Sequence, residues 1–69
     1  MERFIVNGRV NSRYIDDKVF VTNKEALKYI DYLCTKYDLQ VEKIIDEKCK
    51  NTFVIDYHNQ FSINKLVVE

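Results

Sequence analysis

The chain has 69 residues, of which 46% are hydrophobic and 32% charged, with 11 basic against 11 acidic side chains, one Gly and no Pro. Disordered chains combine low hydrophobicity with high net charge, and collagen-like or linker-rich chains need abundant Gly and Pro, so these classes are excluded. One compact domain, residues 1–69, is the most the chain can hold. At this size only ~60% of the unfolded surface is buried, which leaves little interior for a substrate pocket beside a core.

Charge balance holds locally as well as overall. Arg3, Arg9, Arg13 and Lys18 stand against Glu2, Asp16 and Asp17, and Lys24, Lys28 and Lys36 against Glu25, Asp31 and Asp38. A protein that grips a duplex by its phosphates carries a basic surplus, so nucleic acid ranks below protein as an expected partner. The first residues show no apolar signal-peptide core, and the longest apolar runs, such as Phe4 to Val6, are three residues where a membrane span needs about twenty. A cytoplasmic setting with free thiols at Cys34 and Cys49 and no membrane contact is therefore expected. Ile, Lys, Asn, Tyr and Phe make up 30 residues and Gly, Ala, Arg and Pro only 5, a bias toward AT-rich codons that points to a low-GC bacterium or one of its phages.

In the first segment Phe4, Val6, Val10 and Tyr14 alternate with polar residues, the period of a strand with one wet face. A turn at Asp16-Asp17 would pair Tyr14 with Val19 and Ser12 with Val21. Asn7-Gly8 is itself a strong hairpin-turn signal, so residues 2–22 form either one long bent hairpin with a bulge at Gly8 or a three-stranded meander. The bent hairpin is preferred because it keeps Phe4 and Val6 on the face of Val10. Next, Thr22-Asn23-Lys24-Glu25 is a capping box, and Ala26, Leu27, Ile30, Leu33, Cys34 and Tyr37 follow at helical spacing, which predicts an amphipathic helix over 23–37.

Beyond the helix, Leu39, Val41 and Ile45 alternate in a strand, a charged loop runs from Asp46 to Asn51, and Phe53, Ile55 and Tyr57 alternate in another strand. A three-residue turn at His58-Asn59-Gln60 would set Tyr57 opposite Phe61 and Ile55 opposite Ile63. Leu66 to Val68 end the fifth strand or form a short edge. The predicted fold is α+β in the order β-β-α-β-β-β, with one helix packed on one face of a mainly antiparallel sheet.

No constellation marks catalysis. Three Cys and His residues in all cannot supply a four-ligand zinc site, one glycine cannot build a phosphate loop, and His58 lies in a turn, although it and Cys49 flank the same predicted hairpin and could approach each other. No catalytic residue, metal, cofactor or small-molecule substrate is expected. The features fit a non-enzymatic protein-binding module acting through the sheet face that the helix leaves open. Ile5, Arg9, Arg13, Ile15 and Phe20 are expected on that face, with Leu66 and Val68 along an edge. A phage or mobile-element accessory protein that binds and inhibits a host or defence protein is the expected setting. The alternatives are a single-stranded nucleic-acid binder using Arg9 and Arg13, and a structural homodimer joined through edge strands.

Overall fold

In the computed structural model, which describes residues 1–67, the chain forms β1 (Glu2–Val10), β2 (Arg13–Tyr14), β3 (Lys18–Phe20), α1 (Asn23–Lys36), β4 (Lys43–Glu47), β5 (Lys50–Val54) and β6 (Gln60–Val67). The strands make one antiparallel six-stranded sheet in the order β2-β1-β6-β5-β4, with β3 also paired to β1. The α+β class stands, with one helix on one face of the sheet. The first expected strand, however, which would run from Phe4 to Tyr14, is broken in two.

That split has a local cause. The chain reverses at Asn11-Ser12, where both residues take positive φ (51° and 65°), the backbone that tight hairpin turns matching strand twist require. Arg9 therefore faces Tyr14, and Val10 faces Arg13. The return strand then carries one extra residue through Ile15-Asp16-Asp17 before Val6 meets Lys18 and Phe4 meets Phe20. The extra residue reverses which way the side chains of β3 point. The expected turn at Asp16-Asp17 is thus this irregular stretch, and Asn7-Gly8 lies within β1 rather than at a turn.

Two other turns also differ from expectation. β4 and β5 close tightly around Lys48-Cys49, with Asp46 opposite Asn51 and Glu47 opposite Lys50, so the expected charged loop is a hairpin end. Between β5 and β6 the turn is longer than three residues, because the Asp56 carboxylate accepts from the amides of His58 and Asn59 at 2.7 and 3.0 Å and holds Tyr57 out in solvent. Phe53, not Tyr57, consequently faces Phe61.

The helix begins where the capping residue places it, with Thr22 Oγ1 accepting from the Glu25 amide at 3.2 Å. Thr22→Ala should cost ~1 kcal/mol in a denaturation experiment; an unchanged midpoint would show that the first turn holds without its cap. At the other end the amides of Asp38 and Leu39 donate to the carbonyls of Thr35 and Cys34, while Asp38 takes a positive φ of 53°. This is the Schellman arrangement that closes off a helix. Ala26, Ile30 and Leu33 pack with Val6, Val10, Phe53, Ile55, Phe61 and Ile63 to form the core. The helix rests on β1 and β3, so Leu27 and Tyr37, expected in its buried stripe, stay partly exposed.

Candidate functional site: the open sheet face

Because Phe4, Val6 and Val10 point toward the helix side, the odd-numbered residues of β1 point away from it. Cross-strand partners share a face, so Ile5 lies beside Val19 and Asn64, Asn7 beside Ser62, and Arg9 between Tyr14 and Gln60. Further across, Ser62 meets Thr52, which meets Ile45, while Asn64 meets Lys50, which meets Glu47. The helix-free face is therefore polar at its centre, with apolar side chains toward the β3 side.

The central polar groups are tied together. Asn7 Oδ1 accepts from the Ser62 hydroxyl and, at 3.5 Å, from Asn64 Nδ2. Thr52 and Ser62 are buried because short side chains in the middle of a sheet are flanked by longer ones. Arg9 reaches Gln60 Oε1 with one guanidinium nitrogen at a long 3.4 Å, and its buried Nε has no hydrogen-bond partner. Among the described residues the one ion pair is Lys65 with Glu2, at 2.8 Å, so Arg9 makes no ion pair. A shallow groove of about 550 Å³ runs past Arg9 between Tyr14, Asp17, Gln60 and Lys50.

Of the residues expected on this face, the structure brings together Ile5 and Arg9 and removes three. Arg13 lies opposite Val10 and so belongs to the helix side. Ile15 and Phe20 pack against the core, and the Phe20 ring sits 5.3 Å from that of Tyr29. The reversal at Asn11-Ser12 turns Arg13 and Ile15 to the helix side, and the extra residue that follows does the same for Phe20. Leu66 is exposed but not on an edge strand, since β6 runs between β1 and β5, and Val68 lies outside the described residues. Lys43, Lys50 and the alternating Gln60, Ser62 and Asn64 were missed as members of this face. Their signal is present in the polar residues that alternate with Phe61 and Ile63, and Lys50 is missed because residues 46–51 read as a charged loop rather than a hairpin.

At one end of the sheet the two turns are clasped. The Asn11 amide donates to Asn59 Oδ1 at 2.9 Å, the Ser12 amide donates to the His58 carbonyl at 2.9 Å, and Ser12 Oγ lies 2.7 Å from His58 Nδ1. The hydroxyl and imidazole could resemble a nucleophile and base, but the Asp56 carboxylate that would complete such a set is bound to amides of its own turn. Those bonds, the His58 amide first, hold the Asp56 carboxyl below the usual carboxylate range. Its contribution to stability is thus present above the ordinary carboxylate pKa and lost as pH falls through the depressed one. Cys49 does not approach His58, because the two sit in turns at opposite ends of β5. Burial and the neighbouring Asp31 push the Cys34 thiol up, away from the reactive thiolate. Among the described residues no three His, Cys, Asp or Glu side chains are grouped to hold a metal ion, and no helix is long and apolar enough to cross a membrane.

Compared with known proteins, the chain matches no family model, no curated protein and no solved structure.

Proposed function

We propose that the chain is a non-enzymatic protein-binding module that presents its helix-free sheet face to an acidic surface of a partner protein. One observation carries this reading: in a chain without net charge, Arg3, Arg9, Lys43 and Lys50 share that face with two carboxylates, Glu47 and, in the groove beside Arg9, Asp17. Arg9 matters most, since its half-buried guanidinium is held in place yet unmatched, and a planar fork of donors suits a carboxylate. Ile5, Val19 and Tyr14 beside it supply the apolar and aromatic area that interface centres favour. The AT-rich residue bias fits a phage or mobile element of a low-GC bacterium, with a host or defence protein as the partner and inhibition by occlusion as the outcome. Two unpaired thiols fit a reducing, cytoplasmic setting.

The same positive face favours a second reading, binding of single-stranded nucleic acid. Tyr14 is the lone aromatic ring on that face, whereas base-stacking platforms use several. Affinity purification of the tagged protein from a bacterial lysate, with and without nuclease, separates the two. A protein retained after nuclease, and bound at least about tenfold more weakly by Arg9→Gln with an unchanged thermal midpoint, is the expected result. Loss of all binding after nuclease, with a steep dependence on salt, would replace it with the nucleic-acid reading.

A further inference from the structure

β4 is the outermost strand on its side of the sheet, and no described residue pairs with its free edge. An edge of this kind presents unpaired amides and carbonyls to any strand that fits it. The edge also carries exposed apolar surface, since Ile44 is 54% exposed on the helix side and borders an apolar groove with Leu27, Leu39 and Val41.

The strand and its flanks read Glu42-Lys43-Ile44-Ile45-Asp46-Glu47-Lys48, which is charge-complementary to its own reverse. Set antiparallel to a second copy about a two-fold axis through Ile45, Glu42 meets the second copy's Lys48, Lys43 meets its Glu47, and Ile45 meets its Ile45. Each charged pair occurs twice, as two-fold symmetry demands. On the helix side Ile44 lies diagonal to its own copy, within reach of a branched side chain. Sliding the register by one residue opposes Glu42 to Glu47 or Lys43 to Lys48, and it also turns the two helices to opposite sides of the sheet. Sliding it by two opposes Glu42 to Asp46 or Asp46 to itself.

We propose that the chain forms a two-fold homodimer through β4 in the register centred on Ile45. The dimer has one continuous sheet, both helices on one side and both basic faces on the other. It rests on the β4 edge alone, so its failure leaves the partner-binding reading standing, and the reverse holds too.

The test is the mass of the protein in solution, by sedimentation equilibrium across a concentration series. Wild type should associate to a dimer. Lys43→Glu and Glu47→Lys, each alone, oppose like charges twice per interface and should weaken association by at least about tenfold. Mixed in equal amounts, the two variants should form a one-to-one heterodimer, because every pair between positions 43 and 47 is then of opposite sign. Glu47 also faces Lys50 within the chain, so Glu42→Lys mixed with Lys48→Glu offers the same logic should Glu47→Lys melt early. Wild type that stays monomeric throughout would overturn the proposal and make the charges a guard against edge pairing. A dimer indifferent to the single substitutions, or variants that do not associate on mixing, would overturn it equally.

Discussion

Gly8→Ala should remove about 3 kcal/mol of stability, near the upper end of what overpacking a filled interior costs. A Cβ at this position would lie 2.2 Å from the Gln60 carbonyl oxygen, 2.8 Å from Phe61 Cα and 2.9 Å from Phe61 Cδ1. Two of those three atoms belong to backbone, so a rotamer change cannot clear them. The facing strand would have to move, and that strand carries Phe61, which is fully buried in the core. For a domain whose total stability is roughly 3 to 10 kcal/mol, such a loss leaves a substantial unfolded population. Urea denaturation reads it directly. Phe61→Leu added to Gly8→Ala should not rescue, because shortening the ring relieves only one of the three contacts. A loss below about 1 kcal/mol would mean that β1 and β6 can part at Gly8 without disturbing the core.

The second large effect is expected at Asn59, a buried polar residue that joins two turns. Its Nδ2 donates to both Asp56 carboxylate oxygens at 3.0 and 3.1 Å, and its Oδ1 accepts from the Asn11 amide at 2.9 Å. Asn59→Ala leaves that amide and one side of the carboxylate without partners and should cost about 2 to 3 kcal/mol. Asn59→Asp is more diagnostic, since it keeps the acceptor for Asn11 but turns a donor toward Asp56 into a second carboxylate. At neutral pH two like charges then face each other, and the variant should be less stable than Asn59→Ala. As pH falls, protonation of either carboxyl restores a donor between them, so the stability of Asn59→Asp should rise relative to wild type. A pH-independent difference between the two proteins would show that Asn59 acts by packing alone.

Much of the architecture was legible because two periods are strong in this chain. Ala26, Ile30 and Leu33 behind Thr22 identify the helix and its start, and the alternation of Phe4, Val6 and Val10 identifies the buried side of β1. Ile5 and Arg9 follow from that same alternation, and of the residues expected on the helix-free face they are the two whose placement there was legible in the sequence. Turns were harder, because their chemistry is made by partners distant in the chain. Asn11-Ser12 carries no glycine, yet it reverses the chain, and its amides find Asn59 and His58 on another turn. Asn7-Gly8 has the composition of a hairpin turn, but there the missing side chain admits Phe61 of the neighbouring strand. A glycine between strands and a glycine in a turn look alike until the facing residue is known. One residue of slippage after Tyr14 then sufficed to turn Phe20 from the open face to the helix side, where it packs against the core.

The position of β6 between β1 and β5 has a consequence for how the chain folds. The β4–β5 hairpin and the unit made by β1 to α1 are each local in sequence, but nothing joins them into one sheet until β6 enters the gap. Pairing of β6 with β1 brings Glu2 to Val67 and Arg9 to Gln60, which closes nearly the whole chain into a loop. Most of that entropic cost must be met before Phe61 and Ile63 reach the core. Insertion of that single strand is therefore the step expected to limit the folding rate, with residues 60–67 as the keystone between two half-sheets.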